Sequence, residues 1–180
     1  MNGLDVEVAL IQNPDVKVVV RLALSLAPAR FWTDQAASGG KHHSEDECCE
    51  GGLVLHTRRV VAACRVLAPA YGVAVGSWDM DVAIAACILH DVVKYGTKPG
   101  PGYDFAAYKR HGPNVGLWYS EVTNRLPDFF TDAETAVFEL TRSHMGPWSP
   151  EGYYPENPLQ WLVFMSDYVA SRKAWAGVML

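Results

Sequence analysis

Residues that can bind a metal interrupt apolar helical patterns along most of this 180-residue chain. A histidine or an aspartate on the buried face of a helix is costly unless it has a polar or charged partner. Several such residues, far apart in sequence, can share one partner only if the helices that carry them converge. The fold is therefore expected to bring several helices around one metal site. The residues concerned are His56, His90, Asp91, His111, His144 and Asp167.

The spacing of apolar residues in the first third of the chain predicts two helices. The Asn13-Pro14 pair is typical of a helix start, and a helix over about residues 14–27 follows it. A second helix over residues 52–67 carries His56 on its apolar face. Residues 28–50, between the two, are polar and contain adjacent glycines, so we expect a loop there.

Two further helices are expected in the middle of the chain. The first is capped by Asp79 and has the pair His90-Asp91 near its last turn. The second covers about residues 104–124 and carries His111, with a start or a kink at Gly112-Pro113. Neither segment has the alternating pattern of a strand.

The last third of the chain is also predicted to be helical. Thr131 and Glu134 form a capping box for a helix that runs to about His144. Asn157-Pro158 begins the last clear helix, which places Asp167 on the same face as its apolar residues. These elements predict an all-α fold.

Composition is consistent with one compact unit. A hydrophobic fraction of 49% and six tryptophans can fill a single core. We expect one domain over residues 1–180, with a metal-binding core over about 41–173. The net charge of −5 argues against a wide basic surface for duplex nucleic acid. No signal peptide or membrane-spanning run is apparent, so we expect a cytoplasmic protein with no membrane partner.

The four cysteines do not have the paired spacing of a structural zinc site. Cys64 and Cys87 fall within apolar helical patterns, where small core residues are common. Cys48 and Cys49 are adjacent, which suits neither a mutual disulfide nor two bonds to one zinc ion. We therefore expect reduced thiols with a packing role.

A mixed set of histidines and aspartates suits one or two divalent transition-metal ions: Mn, Fe, Co, Ni or Zn. Sulfur ligands are not needed. Adjacent residues on a helix point about 100° apart, so His90 and Asp91 cannot both face one point without an irregular turn or a cation beside both. A carboxylate of Asp91 that bridges two cations would satisfy this geometry.

Four segments surround candidate ligands. In these segments the chain resembles the HD superfamily of metal-dependent phosphohydrolases, which is named after an adjacent His-Asp pair. The resemblance spans roughly residues 41–173. With a Lys-x-His element before Gly51-Gly52-Leu53, the chain is most similar to bacterial and phage HD proteins that resemble HD-type exoribonucleases. The four segments are Gly51-Gly52-Leu53-Val54-Leu55-His56-Thr57, Ile88-Leu89-His90-Asp91-Val92-Val93-Lys94-Tyr95-Gly96, Ser143-His144-Met145-Gly146 and Ser166-Asp167-Tyr168-Val169-Ala170-Ser171-Arg172.

The resemblance implies a compact helical bundle and a site for two metal ions. The second ion would be held by His111 and His144 together with Asp91. Some two-metal members have consecutive histidines where this chain has His144-Met145, so one ligand of the second ion is expected to be water. The residues implied for the first ion are His56, His90, Asp91 and Asp167.

The activity implied by the resemblance is hydrolysis of a phosphoester by metal-activated water. Asp91, Lys94 and His43 are the candidate catalytic residues, because a cation and an imidazole there could act on a phosphoryl group. The substrate would be a nucleotide, a cyclic nucleotide or a nucleic-acid end, by monoester, diester or triphosphate cleavage. The candidate substrate-binding residues are Lys41, Arg142, Trp148 and Arg172.

Some of these residues are equally compatible with a purely structural role. A buried histidine such as His111 can be a hydrogen-bonded core residue, and His144 near a helix end can interact with the helix dipole. Trp148 can stack on a base or simply pack in a loop. Arg58-Arg59 and Lys109-Arg110 look like solvated helix faces.

The function also has alternatives. The same scaffold could be a non-catalytic module that binds a nucleotide or a partner, and a related di-iron site could serve an HD-type oxygenase. Lys94 argues against the oxygenase, because its ammonium could contact a phosphoryl oxygen. The partner is expected to be a phosphorylated small molecule or a nucleic-acid end, and a homo-oligomer is compatible with the sequence.

Overall fold

The chain folds into α-helices joined by loops and short 3-10 helices. In a computed structural model, the described residues are 3–37, 42–97, 108–123 and 131–175, and no strand occurs among them. The all-α prediction is confirmed. The eight α-helices in these ranges are α1 (Asp5–Ala9), α2 (Pro14–Leu26), α3 (Ala29–Thr33), α4 (Gly52–Leu67), α5 (Trp78–Leu89), α6 (His111–Thr123), α7 (Thr131–Thr141) and α8 (Pro158–Ala170).

Two of the predicted helix starts are confirmed. The Asn13 side chain accepts hydrogen bonds from the backbone N–H groups of Asp15 and Val16, at 2.9 and 3.1 Å. The Asn157 side chain accepts one from the N–H of Gln160 at 3.0 Å. In both helices a proline follows the cap, where its fixed backbone angle favours the first turn.

The cap of α5 was predicted wrongly. Ser77, not Asp79, caps this helix, and its hydroxyl accepts a hydrogen bond from the N–H of Met80 at 3.2 Å. A serine hydroxyl caps as well as a carboxylate does, and the sequence offers both within three residues. Asp79 lies in the first turn, where its charge still interacts favourably with the helix dipole.

Residues 28–50 are not a continuous loop. They contain α3 and a 3-10 helix, Glu45–Cys48, so the loop prediction is wrong for these two elements. Phe31 on α3 is buried, and its ring packs edge-on against Trp32 at 4.9 Å between centroids. Aromatic burial therefore stabilises a turn of helix in a segment that is mostly polar.

The boundaries of the middle helices differ in detail from the predictions. α6 begins at His111, beside the Gly112-Pro113 step, and α7 ends at Thr141, three residues before His144. Residues 98–107 and 124–130 lie outside the described part of the chain, as does the Thr131 side chain of the expected capping box. His144 therefore follows α7 rather than closing it.

α5 is the central helix of the fold. Every residue from Met80 to Leu89 is buried, and the helix packs against α2, α4, α7 and α8. Ala83, Ala85 and Ala86 let the neighbouring helices approach closely. Because His90-Asp91 follows directly, the end of α5 delivers both side chains to the interior.

α4 and α8 pack along each other beside α5. This contact brings together His56 and Asp167, which are 111 residues apart in sequence. All four cysteines are free thiols, and Cys64 and Cys87 are buried in this region as predicted. None of the helices in the described segments is both long enough and apolar enough to span a membrane.

Asp81 is a buried carboxylate that joins α5 to the turn between α1 and α2. It accepts hydrogen bonds from the backbone N–H groups of Gln12 at 3.0 Å and Asn13 at 2.7 Å. Hydrogen bonds to a charged acceptor are stronger than neutral ones, and both donors would lose their partner if the carboxylate were removed. Asp81 therefore anchors the N-terminal helices to the core.

We predict that Asp81→Ala lowers the free energy of unfolding by about 3 kcal/mol, because two backbone donors become unsatisfied. Urea denaturation of the metal-free protein measures this loss. The matched control is Asp79→Ala on the exposed side of the same helical turn, which should cost less than about 1 kcal/mol. Equal losses in the two variants would contradict the anchoring role.

Candidate metal centre

Three histidines of the centre share one backbone contact. In each of them the ring Nδ1 bonds to the carbonyl oxygen three residues earlier, at a helix end or start. A carbonyl oxygen only accepts, so Nδ1 carries the proton and Nε2 keeps its lone pair. This is the arrangement that orients histidines bound to metals. The pairs are His90 with Cys87 at 2.7 Å, His111 with Tyr108, and His144 with Thr141 at 2.8 Å.

The Asp91 carboxylate lies among these three lone pairs. Its Oδ1 is 3.0 Å from His111 Nε2 and 3.8 Å from His144 Nε2. Its Oδ2 is 3.4 Å from His90 Nε2 and 2.6 Å from Lys94 Nζ. Each oxygen therefore faces a different group of nitrogens, as a carboxylate between two cations would.

A second carboxylate, Asp167 on α8, completes the other side of the centre. Its Oδ1 lies 3.0 Å from His56 Nε2 and 3.9 Å from His90 Nε2. The Asp167 side chain keeps 26% of its surface exposed, whereas the two histidines are fully buried. This side of the centre is therefore open to solvent.

The donor atoms fit a metal ion in two respects. First, His90 Nε2 and Asp91 Oδ1 are buried and have no hydrogen-bond partner among the described residues, which costs about 1–3 kcal/mol for each atom. Second, His111 Nε2 and His144 Nε2 are only 3.0 Å apart, so two lone pairs would face each other without a proton or a cation between them. A bound cation would remove both penalties.

The spacing of the donors also suits coordination. Two donors at about 2.1 Å from one ion lie roughly 3.0–3.4 Å apart in octahedral or tetrahedral geometry. The observed separations of 3.0, 3.4 and 3.8 Å around Asp91 are close to this range. Three sets of three described residues have one donor atom from each residue within 4.8 Å of the others: His43, Glu47 and His56; His56, His90 and Asp91; and Asp91, His111 and His144.

Both carboxylates are in the ionised form that metal binding needs. Burial alone would raise the pKa of Asp91, but Lys94, His90 and His111 together hold it well below its usual range. Burial also acts to raise the pKa of Asp167. The hydrogen bond from His56 and the nearby His90 outweigh burial, so the pKa of Asp167 is lowered as well. The centre therefore presents two anions.

The histidines differ in charge. Burial and the neighbouring His111 and His90 lower the pKa of His144 to about 3, so His144 is a neutral ligand at physiological pH. Burial also acts to lower the pKa of His56, but the hydrogen bond with Asp167 and the nearby Glu47 carboxylate raise it to about 9. In the metal-free protein His56 is therefore protonated, and a metal ion must displace that proton.

Glu47 is a member of the site that the sequence did not reveal. It is fully buried, and its Oε2 is 2.7 Å from His43 Nδ1 while its Oε1 is 2.9 Å from Arg59 Nη1. Its Oε1 also lies 3.7 Å from His56 Nδ1, a charge contact longer than a hydrogen bond. Burial acts to raise the pKa of Glu47, but His43, His56 and Arg59 together lower it below its usual range.

The expectation that Arg58-Arg59 form a solvated face is wrong for Arg59. Arg59 is buried and bonds to Ser44, Asp46 and Glu47 of the preceding segment. Arg58 stays largely exposed, in contact with the Gly3 carbonyl. The i,i+4 spacing of His43 and Glu47 and the cluster of acids before Gly51 were the available signals for this inward charge network.

Two glycines permit the close packing of the site. A Cβ at Gly52 would overlap the Glu47 backbone, so only glycine lets the Glu47 segment lie against the start of α4. A Cβ at Gly112 would lie 2.8 Å from the Arg142 carbonyl oxygen and 3.3 Å from His144 Nδ1. Glycine at this position therefore allows the start of α6 to approach His144.

The predicted substrate-binding residues are not all at one place. A cavity of about 440 Å³ opens beside Asp91, His111 and Asp167. Arg142 is not among the described residues that line it, and its guanidinium pairs with Glu139 at 2.6 Å. Lys41 lies outside the described residues. The predicted residues that do line the cavity are His43, Lys94, Trp148 and Arg172, and those that were not predicted include Tyr108, Phe164 and Tyr168.

Comparison with known proteins gives one match. The family model described as HD domain matches residues 53–172, which is more than half of the chain and includes all six candidate metal ligands. No curated protein matches the chain, and no solved structure does. The segment that matches the family model therefore contains the residues that the fold brings together at the candidate metal centre.

We predict that Glu47→Gln lowers the free energy of unfolding by about 2–3 kcal/mol. Breaking a buried ion pair typically costs about 3–5 kcal/mol, and Asp46 still compensates Arg59 in part. Urea denaturation measures the loss, with the exposed Glu50→Gln as control. Adding Arg59→Met to Glu47→Gln should restore part of the stability. No recovery in the double variant would show that the pair is not the cause.

We also predict that the metal-free protein loses stability between pH 6.5 and 9. The protonated His56 stabilises the fold fully at pH values below about 6.5, its pKa in the unfolded chain. This contribution of about 3 kcal/mol disappears as the pH rises through about 9, its pKa in the folded protein. His144 is neutral in the folded protein, and in the unfolded chain it is mostly neutral above about pH 7.5, so its opposite effect is confined to the lower end of this window. Urea denaturation at several pH values should give a smaller slope for Asp167→Asn and an unchanged slope for Asp132→Asn.

Proposed function

The chain belongs to the HD domain family, and we propose that it is a metal-dependent phosphohydrolase that acts on a nucleotide, a cyclic nucleotide or a nucleic-acid end. The observation that carries the proposal is the position of Asp91. Its two carboxylate oxygens face separate groups of histidine nitrogens, and one oxygen also holds the buried Lys94 ammonium. A carboxylate that could bind cations and an ammonium that could bind a phosphate therefore line one cavity.

The ligand sets suit one or two ions of Mn, Fe, Co, Ni or Zn. His56, His90, Asp91 and Asp167 would hold one ion, and Asp91, His111 and His144 the other. A bound divalent ion lowers the pKa of water from about 15.7 toward 7 and polarises a phosphoryl oxygen, which supplies a nucleophile at neutral pH. Asp167, the most exposed of the ligands, lies at the side from which water and substrate enter.

Lys94 would bind the phosphoryl group. It lines the cavity, and its Nζ is held 2.6 Å from Asp91 Oδ2. Burial acts to lower its pKa, but the Asp91 carboxylate outweighs burial and raises it, so the ammonium stays charged. A fixed positive charge beside the reacting phosphorus would stabilise the negative charge that builds up during hydrolysis.

His43 would transfer a proton at the leaving group. Its Nδ1 bonds to the ionised Glu47, so that nitrogen carries a proton and the ring is held in one orientation. The other ring nitrogen, Nε2, is then the atom that can exchange a proton with substrate in the cavity. A histidine oriented by a carboxylate is a common general acid or base.

We predict that purified protein supplied with Mn²⁺, Co²⁺ or Ni²⁺ hydrolyses a nitrophenyl phosphodiester and that Asp91→Ala lowers kcat at least about 1,000-fold. The variant removes the carboxylate shared by both ligand sets. Release of nitrophenol measures turnover, and elemental analysis measures bound metal. Asp132→Asn, an exposed acid on α7, is the control and should retain both.

Two outcomes would contradict this proposal. Activity that persists in folded Asp91→Ala would place the chemistry elsewhere. Absence of turnover with every metal, together with a nucleotide that raises the Tm without being consumed, would favour a non-catalytic binding module. If Asp91→Ala does not fold, His111→Ala and His144→Ala test the same centre through single ligands of the second ion.

A further inference from the structure

We infer that Trp148 and Tyr168 form a nucleobase-binding subsite at the mouth of the metal cavity, with Arg172 as its phosphate contact. This inference rests on the proposed function and assigns the residues that would recognise the base of its substrate, either a nucleotide or the end of a single strand. Small phosphoesters without a base would be poor substrates. The inference depends on three features of the cavity wall.

The first feature is an exposed aromatic pair. Trp148 keeps 61% of its surface exposed and Tyr168 keeps 36%. Their rings are nearly parallel, 12° apart in plane and 6.0 Å between centroids. Two large exposed rings side by side form an apolar patch, and such patches often mark binding sites. An exposed flat ring suits stacking by a nucleobase.

The second feature is the way Trp148 is held. It ends a short 3-10 helix, Gly146–Trp148. Its backbone N–H donates to the Met145 carbonyl oxygen at 3.1 Å. The indole also packs against Phe164 at 6.0 Å between centroids. The backbone and one neighbour therefore fix the ring before any ligand arrives, which lowers the entropy cost of stacking.

The third feature is a fixed cation beside the aromatic pair. The Arg172 guanidinium lies 4.1 Å from the centre of the Tyr168 ring, and its Nε donates to the Tyr168 carbonyl oxygen at 3.2 Å. Its Nη1 lies 3.0 Å from His42 Nδ1. Arg172 and Lys94 line the same cavity from different elements, so a phosphate chain could contact both while a base stacks on Trp148.

The size and continuity of the cavity support the same substrate. One cavity of about 440 Å³ is lined both by metal-ligand candidates and by the aromatic pair. This volume is within the usual range for small-molecule sites. An apolar partner, such as a lipid chain, would not need the guanidinium at the rim. A nucleobase with its phosphate would use every part of this wall.

Two matched substrates test the subsite directly. Thymidine 5′-(4-nitrophenyl phosphate) and methyl 4-nitrophenyl phosphate have the same leaving group and differ in the nucleoside. We predict that the Mn²⁺-loaded wild-type protein prefers the thymidine ester. Trp148→Ala should lower kcat/KM for the thymidine ester about 5- to 150-fold, the equivalent of about 1–3 kcal/mol of stacking. It should lower kcat/KM for the methyl ester much less, so that the ratio of the two values falls.

The controls separate stacking from a general loss of structure. Trp148→Phe keeps a flat ring and should retain part of the preference for the thymidine ester. Trp161→Ala removes another half-exposed tryptophan, which lies on α8 and packs on Phe164 but does not line the cavity. It should leave both substrates unchanged. Arg172→Gln should lower kcat/KM for both esters, because each carries the phosphate that Arg172 would contact.

The inference would be overturned if the ratio of kcat/KM between the two esters were the same in wild type and Trp148→Ala, including an equal fall on both. It would also be overturned if Trp148→Ala changed only the oligomeric mass in solution, since the rings would then be an interface. Failure of the proposed function is a different result, in which neither ester is hydrolysed. In that case calorimetric binding of thymidine 5′-monophosphate, lost in Trp148→Ala and kept in Trp161→Ala, still tests the subsite.

Discussion

The buried carboxylate of Asp91 determines how the interior of this protein is organised. A buried anion is stable only with a compensating charge, and Asp91 has the Lys94 ammonium on one side and imidazole nitrogens of His90, His111 and His144 on the other. These residues come from the end of α5, the start of α6 and the turn after α7. The ends of three helices therefore meet at one carboxylate, where the imidazole lone pairs could share a cation with it.

A network of charged residues packs against one side of this centre. Residues 42–50 lie against α4 through the buried ion pair of Glu47 and Arg59, and the Lys173 N–H bonds to the His42 carbonyl oxygen at 3.0 Å. The segment is thereby fixed at both α4 and the end of α8. The backbone on either side of His43 is held, and this places the His43 side chain at the cavity. The polar segment therefore forms one side of the cavity.

The helices and the inward positions of the candidate ligands could be predicted because local sequence determines them. Asn13-Pro14 and Asn157-Pro158 mark the starts of α2 and α8, and the apolar spacing around His56 places that ring inside. The burial of Glu47 and Arg59 could not be predicted in this way. A charged residue on a helix is equally compatible with solvent and with an inward ion pair, and only the path of a separate segment decides between them.

The same limit explains the cap of α5 and the placement of Arg142. Ser77 and Asp79 are both good caps, and a difference of a few tenths of a kcal/mol in local geometry selects one of them. Arg142 follows α7 in sequence close to His144, yet its guanidinium pairs with Glu139 one turn earlier. Proximity in sequence fixes the backbone position of a residue but not the direction of a long side chain.

The charges of the cavity link metal binding to substrate binding. Asp91 and Asp167 are both ionised, and in the metal-free protein Lys94 and the protonated His56 balance these two charges. Divalent cations on the carboxylates would add the positive charge that attracts a phosphoester to the reacting end. Trp148 and Arg172 line the cavity without contacting these carboxylates. The proposed base subsite and the metal-dependent chemistry would therefore be separable parts of one cavity, each with its own residues.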